Sequence, residues 1–304
     1  MRFFAIWLII LPCMISGQEI VVLRRDTLSH GKEREYQPVA VSPDGKIILA
    51  TSPGYAGLSA IDPITGEITV ISSEAGAGYE PRFSEKGDKV FFRSDEYTGE
   101  RKYSTLYEYD VVTTKRVVID SAIRGLITPV ITGGTLIWSS DDRERKLAID
   151  EEPGKLEDKA IYLTLENLRP VIHRNGTSRV ILPNGEGNYI WASLSPDKSK
   201  MVYNFNGRGT RVCDLDGNII ADAGRVHAPR WLNNETIVGM DDRDDGYRVT
   251  SSDIILFFPA TGRKINLTSD SERIEMYPIP FPDGKRIVFQ SNGGELHIIH
   301  LKVK

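Results

Sequence analysis

The densest group of potential metal ligands in the sequence lies between residues 241 and 245. Four carboxylates, at Asp241, Asp242, Asp244 and Asp245, supply the hard oxygen ligands that Ca²⁺ prefers. An EF-hand loop counted from Asp241 would need a bidentate glutamate at its twelfth position, where this chain has Ser252. Because a calcium site also needs a closed set of converging ligands, we interpret the run as a solvated hairpin loop.

The five histidines are the other potential metal ligands. A transition-metal site needs imidazoles that converge on one point. His297 and His300 are three residues apart on one predicted strand, so their side chains should face opposite sides of it. His30 lies in a polar segment near the N-terminus, and His173 lies in an irregular part of the chain. We therefore predict that the chain binds no metal and no other cofactor.

Familiar catalytic motifs are missing from the sequence. It contains no Gly-x-Ser-x-Gly nucleophile elbow, no phosphate-binding glycine-rich loop and no His-Glu-x-x-His zinc motif. With 38 basic and 42 acidic residues the formal net charge is −4, whereas nucleic-acid-binding proteins carry a basic excess. We predict no catalytic residues and no nucleic-acid partner, which favours a binding protein over an enzyme.

The first residues have the pattern of a targeting segment. One positive charge at Arg2 precedes an apolar run over residues 3–11, and Pro12 and Cys13 follow it. This order is typical of a secretory signal peptide, and the run is well short of the roughly 20 residues of a membrane-spanning helix. Cleavage after Gly17 would give a periplasmic or secreted protein that does not span the membrane. A lipid anchor on Cys13 is the alternative, although Pro12 fits such a site poorly.

Cys213 is the one cysteine that remains after this cleavage, so the mature protein has no internal disulfide. It lies in the segment Thr210–Leu215, where apolar and polar residues alternate as in a strand. We predict that Cys213 is a small buried hydrophobic residue and not a nucleophile.

A repeat fills the rest of the chain and must position these candidate residues. Its clearest part is an apolar segment, a turn and a second β segment, as in Val39–Leu49 and Pro278–Phe289. Copies begin at residues 39, 81, 129, 192, 229 and 278, a spacing typical of propeller blades of about 40 to 50 residues. In the turn Pro43-Asp44-Gly45, proline fixes φ, aspartate bonds its own backbone and glycine accepts a positive φ.

Six copies predict an all-β, six-bladed β-propeller formed by residues 18–304 as a single domain. The sixth copy has room for only three strands, the last over residues 295–301. We expect the strand-like residues 19–24 to complete this blade and so close the ring. The third copy is the longest, and its extra residues, 141–158, carry mixed charge that indicates a surface loop on one face.

The repeat resembles that of the TolB-type six-bladed β-propellers. The resemblance rests on Ser42-Pro43-Asp44-Gly45-Lys46, Ser195-Pro196-Asp197, Phe281–Lys285 and the polar loop Asp241–Gly246, which that family places between its second and third strands. It covers essentially the whole chain after the signal peptide and implies a fold that hosts binding scaffolds, peptidase accessory domains, lactonases and lyases. TolB itself carries an α/β domain before its propeller, so we expect this chain not to be TolB.

The residues just before the first strand of each blade should surround one mouth of the central channel. They are aromatic, charged and amide side chains, of the types enriched where a pocket recognises a ligand. The predicted ligand-binding residues are Tyr36, Gln37, Tyr79, Glu80, Arg82, Trp191, His227, Arg230 and Tyr277. The alternative is that these aromatic residues pack between blades, as buried aromatic residues commonly do.

Together these patterns predict an exported, monomeric, non-catalytic scaffold. It would bind a protein, a peptide or another cell-envelope partner at the channel mouth. The resemblance leaves one alternative, a propeller lyase or lactonase that acts on sugar-derived substrates with a divalent metal. A tightly bound Mn²⁺ or Ca²⁺ would favour that alternative.

Overall fold

The computed structural model describes residues 20–28, 35–140, 143–149, 160–269 and 271–303, and these residues are almost entirely β-structure. Their one helical element is the 3₁₀ turn Pro53–Tyr55. No helix within them is long and apolar enough to cross a membrane. Their strands form seven antiparallel sheets, and the first strands of successive sheets pack against one another. The fold is therefore a β-propeller in which each sheet is one blade around a central channel.

We number the strands β1–β26 and the blades 1–7 in chain order. Blade 1 contains β2 (Gln37–Val41), β3 (Ile48–Ser52), β4 (Ala56–Ile61) and β5 (Ile68–Ser72), and blade 2 contains β6 (Arg82–Phe83), β7 (Lys89–Thr98), β8 (Arg101–Asp110) and β9 (Arg116–Ile123). Blade 3 contains β10 (Val130–Thr132), β11 (Thr135–Ser140) and β12 (Arg143–Ala148), and blade 4 contains β13 (Ile161–Glu166), β14 (Arg169–Arg174) and β15 (Thr177–Val180).

The remaining three blades have four strands each. Blade 5 contains β16 (Tyr189–Leu194), β17 (Lys200–Phe205), β18 (Thr210–Asp214) and β19 (Ile219–Gly224), and blade 6 contains β20 (His227–Trp231), β21 (Ile237–Asp244), β22 (Val249–Phe258) and β23 (Arg263–Asn266). Blade 7 contains β24 (Glu275–Pro280), β25 (Arg286–Ser291), β26 (Leu296–Val303) and, as its outer strand, β1 (Ile20–Thr27).

The first and last strands of the chain pair with each other, which closes the ring. Ile20 lies opposite Val303 and Thr27 lies opposite His297 in an antiparallel ladder. This is the pairing expected for the N-terminal segment. It gives blade 7 a fourth strand and covers the edge of β26 that would otherwise be open.

The prediction of six blades is wrong, because the structure contains seven. The long third repeat is in fact two three-stranded blades, β10–β12 and β13–β15. Blade 4 lacks a turn like Pro43-Asp44-Gly45 or Glu85-Lys86-Gly87, by which other copies were recognised. Its first two strands are joined instead by Asn167 and Leu168, both with positive φ, as in the two-residue turns of tight hairpins.

Two predicted loops are also partly strand. Within the predicted surface loop 141–158, residues 143–148 form β12, while residues 141, 142 and 150–158 lie outside the described residues. The acidic run predicted to be a solvated hairpin loop begins inside β21, and only residues 245–248 connect β21 to β22. Asp242 is just 6% exposed, so the prediction of a solvated loop is wrong for that residue.

Buried apolar side chains hold the blades together. Clusters of them fill six of the interfaces between neighbouring blades, with members such as Phe92 between blades 1 and 2 and Phe289 between blades 6 and 7. Cys213 belongs to the cluster between blades 4 and 5 and is fully buried. The alternation of strand residues explains this packing, because every second side chain points toward the neighbouring blade.

Candidate functional site

A cavity of about 290 Å³ opens at one mouth of the channel. We call it the mouth cavity. Seven of the nine residues predicted from the sequence line it, namely Gln37, Tyr79, Glu80, Arg82, Trp191, Arg230 and Tyr277. Its other lining residues are Pro38, Val39, Tyr55, Leu165, Leu168, Ile190, Ala228, Pro278 and Ile279. The structure thus brings together side chains from six blades.

Six residues that line the mouth cavity have a positive φ, and four of them lie just before or within the first strand of a blade. Glu80, Trp191, Ala228 and Tyr277 have φ between 44° and 54°, a left-handed conformation that costs a residue other than glycine about 1 kcal/mol. The last three lie where the first strand of blade 5, 6 or 7 bulges against its partner strand. A bulge redirects the side chain, and here each redirected side chain lines the cavity. Repeated strain at equivalent positions is a feature of functional sites.

Two tyrosines form one wall of the mouth cavity, and an arginine packs against one of them. The rings of Tyr55 and Tyr79 meet edge to face, 5.2 Å apart, and the guanidinium of Arg93 lies 4.3 Å from the centre of the Tyr79 ring. Arg93 is held by an ion pair of 3.1 Å with Asp95. The chain before Tyr79 packs so closely that a Cβ at Gly78 would lie 1.9 Å from a side-chain oxygen of Thr51. The backbone of this wall is therefore closely packed at Gly78.

The charges in the mouth cavity are one carboxylate and two guanidinium groups. Nη2 of Arg82 donates a hydrogen bond of 3.4 Å to Oε2 of Glu80. Burial alone would raise the pKa of Glu80, but Arg82, a hydrogen bond from Thr128 and the charge of Arg230 together hold it below its usual value. Burial, opposed by Glu80, lowers the pKa of Arg230, although a guanidinium stays charged at any physiological pH. The cavity therefore has a net positive charge.

Arg82 also borders a second cavity, of about 530 Å³, that lies further along the channel. The first strands of blades 2 to 5 contribute to it, with Phe83, Ile131, Leu163 and Leu194 among its lining residues. A ligand that enters the mouth cavity would therefore meet Arg82 at the start of the channel.

Two of the predicted site residues, Tyr36 and His227, do not line the mouth cavity. Tyr36 is 8% exposed and packs in the apolar cluster between blades 7 and 1. The ring of His227 lies behind Trp191, 5.8 Å from it, and its Nδ1 donates to Oδ1 of Asp242 at 2.6 Å. That hydrogen bond, opposed by burial, raises the pKa of His227. For Tyr36, the alternative of packing between blades is the correct one.

The remaining candidate metal ligands are dispersed over the structure. Asp241 pairs with Arg243, while Asp244 and Asp245 accept hydrogen bonds from backbone amides of their own loop. His173 lies in blade 4, and His297 and His300 lie in blade 7. Among the residues that the structure describes, no three His, Cys, Asp or Glu side chains are grouped so that they could hold a metal ion. His30 lies outside the described residues.

Nine lining residues are not among the predicted ligand-binding residues, and three of them, Tyr55, Leu165 and Leu168, lie away from the predicted blade starts. Tyr55 follows the 3₁₀ position Gly54 between β3 and β4, and its own φ is 59°. Leu165 and Leu168 belong to the first hairpin of blade 4, which the repeat pattern had not revealed. The Pro53-Gly54 pair before Tyr55 was an available signal for a turn that projects an aromatic side chain.

No protein-family model and no curated protein sequence matches the chain. Among solved structures, it is similar to an oligogalacturonate lyase from Vibrio parahaemolyticus, with a TM-score of 0.47 and 13% identity over 93% of this chain and 98% of that one. An oligogalacturonate lyase in complex with manganese gives a TM-score of 0.46 and 16% identity, over 86% and 76% of the two chains.

The chain is also similar to TolB from Acinetobacter baumannii, with a TM-score of 0.47 and 18% identity. That match covers 77% of this chain and 54% of TolB, so it spans about half of TolB's length. At such identities these likenesses concern the fold alone. The assignment as a propeller rests on the strand pairing described above.

Proposed function

We propose that this chain is an exported, non-catalytic propeller that binds an extended peptide segment of a cell-envelope partner in its mouth cavity. The observation that carries the proposal is the convergence of Tyr55, Tyr79, Trp191 and Tyr277 with Arg82 and Arg230 on one cavity. Trp, Tyr and Arg are the residues that dominate binding energy at protein interfaces. The cavity is concave and the backbone before Tyr79 is closely packed, which favours a preorganised site and a lower entropic cost of binding.

The charges of the mouth cavity indicate what the peptide should carry. Glu80 neutralises part of the charge of Arg82, with their side chains 3.4 Å apart. Within the described residues, the hydrogen bond that Arg230 donates is a long one, of 3.5 Å, to the carbonyl oxygen of Pro229. A guanidinium has five N–H donors in a planar fork that matches a carboxylate. The partner should therefore present an aspartate or glutamate, flanked by apolar groups that pack on the aromatic walls.

A selection from phage-displayed random peptides tests this proposal. We expect the full-length protein to enrich peptides that contain acidic residues. Arg230→Gln should lower the affinity for a selected peptide at least tenfold, a loss of about 1.4 kcal/mol in binding free energy. Arg124→Gln is the matched control, because Arg124 is exposed and follows the outer strand of blade 2. Peptides that lack acidic residues, or that bind the Arg230 variant unchanged, would contradict the proposal.

Export is part of the proposal and depends on residues 1–17, which lie outside the described residues. The pattern of charge, apolar run and small residues supports cleavage after Gly17. Intact-mass analysis of the protein from a periplasmic fraction should give a chain that begins at Gln18. A chain that begins at Cys13 with an added lipid mass would support the lipoprotein alternative instead.

Metal analysis tests the enzymatic alternative directly. We expect mass spectrometry of the purified protein to find no stoichiometric Mn²⁺ or Ca²⁺. One tightly bound ion per chain would overturn the scaffold proposal, and the metal-dependent lyase or lactonase would then become the leading hypothesis.

A further inference from the structure

The interface between blades 3 and 4 differs from the other six. In the described part of the chain, each of those six contains a cluster of buried apolar residues, whereas blades 3 and 4 share none. A cavity of about 280 Å³ lies there instead. We call it the seam cavity. Because apolar burial is the main force that joins blades, a cavity lined by both polar and apolar side chains at this interface calls for an explanation other than stability.

Side chains from five strands, β10 to β14, line the seam cavity together with residues 127 and 128. Tyr162, Thr164 and Glu166 alternate along β13 and therefore point to the same face, toward blade 3. His173 lies opposite Tyr162 on β14, and the two rings stack in parallel with centroids 4.3 Å apart. Glu144 enters from β12 of the neighbouring blade and accepts a hydrogen bond of 3.2 Å from the hydroxyl of Tyr162.

Hydrogen bonds determine which ring nitrogen of His173 carries a proton in this cavity. Oγ1 of Thr164 donates to Oε1 of Glu166 at 3.1 Å and lies 2.9 Å from Nε2 of His173. Because the hydroxyl has one proton and gives it to Glu166, Nε2 of His173 must be the donor in the second bond. Burial lowers the pKa of His173, so its ring is neutral at neutral pH. The histidine therefore adds no positive charge.

The seam cavity has an excess of negative charge. Glu144 is paired with Lys146, whose Nζ lies 2.8 Å from Oε1. Glu166, in contrast, has no lysine or arginine partner within the part of the chain that the structure describes; its nearest ionisable neighbour is the neutral His173, at 3.9 Å. The Glu166 side chain is 43% exposed, and a carboxylate at the edge of a cavity without a basic partner can form charge-assisted hydrogen bonds with a cationic ligand.

We propose that the seam cavity binds a small organic cation, an ammonium group on a short aliphatic chain. Glu166 receives the ammonium group, with Glu144 as the second acceptor, while Ile127, Val130 and Ile137 pack against the aliphatic part. The volume is at the lower limit of the 300 to 1,000 Å³, roughly, that drug-sized ligands occupy, so the ligand is a small amine. This site is separate from the mouth cavity and does not depend on the function proposed for it.

Three four-carbon probes of similar size test the proposal. Putrescine carries two ammonium groups, 1,4-butanediol carries two hydroxyl groups and succinate carries two carboxylates. Isothermal titration of the full-length protein should show one putrescine bound per chain, and binding at least tenfold weaker for the diol and for succinate. Equal binding of all three probes, or no binding of putrescine, would overturn the proposal.

Variants then assign the binding to this cavity. We expect Glu166→Gln, which keeps the size of the side chain, to weaken putrescine binding at least tenfold, and Glu144→Gln to weaken it less because Lys146 already pairs with that carboxylate. Glu235→Gln is the control, since Glu235 is exposed in the first hairpin of blade 6. Circular dichroism shows whether each variant is folded, and an unfolded Glu166 variant leaves the decision to Glu144→Gln. Unchanged affinity in both folded variants would overturn the proposal.

Discussion

His227 and Asp242 form a hydrogen-bonded pair that supports the wall of the mouth cavity from behind. Their nearest atoms, Nδ1 and Oδ1, are 2.6 Å apart, and the other ring nitrogen of His227 lies 3.2 Å from the carbonyl oxygen of Gly207. Both nitrogens therefore face acceptors, and only the protonated ring can donate to both. The ring packs against Trp191, which lines the cavity. His227 is thus a residue that positions the wall of the cavity.

This pair predicts a pH-dependent contribution to stability. The hydrogen bond to Asp242 raises the pKa of His227 above its usual 6.5. The stabilisation is therefore fully present below pH 6.5 and is lost as the pH rises through the folded-state pKa. We expect the difference in free energy of unfolding between the wild type and His227→Gln to shrink as the pH is raised above 6.5, as measured by urea unfolding.

Asp242→Asn provides the complementary variant for this experiment. Asp242→Asn should remove most of the same pH dependence. The double variant with His227→Gln should have a free energy of unfolding only slightly below that of either single variant, because the two side chains act as a pair. A difference between the wild type and His227→Gln that is constant over this pH range would contradict the protonated pair.

The aromatic walls predict a loss of binding on truncation. Trp191→Ala and Tyr79→Ala should each lower the affinity for a selected acidic peptide about tenfold or more, because aromatic residues act as anchors at interfaces. Tyr97→Ala is the matched control, since Tyr97 is 70% exposed in the β7–β8 hairpin and does not line the mouth cavity. Fluorescence titration provides the affinities. Full affinity in the double variant Trp191→Ala with Tyr79→Ala would count against the site.

Ring closure predicts different effects of truncation at adjacent positions on β1. Val22 packs against the apolar cluster between blades 6 and 7, whereas Leu23 is 60% exposed. We expect Val22→Ala to lower the free energy of unfolding by about 1 kcal/mol. The substitution removes two carbon atoms, each worth roughly 0.8 kcal/mol when fully buried, and Val22 is only partly buried. Leu23→Ala should change it by less than about 0.5 kcal/mol. Equal losses in urea unfolding would mean that β1 does not pack as described.

Cys213 should be unreactive in the native protein. Burial raises the pKa of its thiol to about 12, and the thiolate is the reactive form. In a Cys13→Ser background, we expect a thiol-specific reagent such as dithiobisnitrobenzoate to label no cysteine until urea unfolds the chain. Rapid labelling of the native protein would show that the interface between blades 4 and 5 opens.

The sequence predicted seven of the residues that line the mouth cavity because blade starts recur in the repeat. Its errors have a common physical cause, the alternation of side chains along a strand. Tyr36 and Gln37 are neighbours, yet Gln37 lines the cavity while Tyr36 enters the apolar core. Composition alone does not show which of two adjacent residues faces the channel. The bulges at Trp191 and Tyr277, which decide this in blades 5 and 7, depend on strand register.

The number of blades was less predictable from the sequence. Five blades contain the full four strands, but blades 3 and 4 contain three each within the described residues, so together they occupy the length of one long repeat. The hairpin of blade 4 turns at Asn167 and Leu168 instead of at a proline-containing turn. The copy that begins at residue 129 is much longer than the others, and this was the available signal for an additional blade.

Site-specific photo-crosslinking in the cells that produce the protein tests the central claim most directly. A photoreactive phenylalanine analogue at Tyr55 lies in the mouth cavity, and the same analogue at Tyr247, which is 99% exposed in the β21–β22 loop, is the control. We predict a discrete crosslinked partner from position 55, none from position 247, and loss of the adduct when Arg230→Gln is added. The same adduct from both positions, or none from position 55, would contradict binding at the mouth cavity.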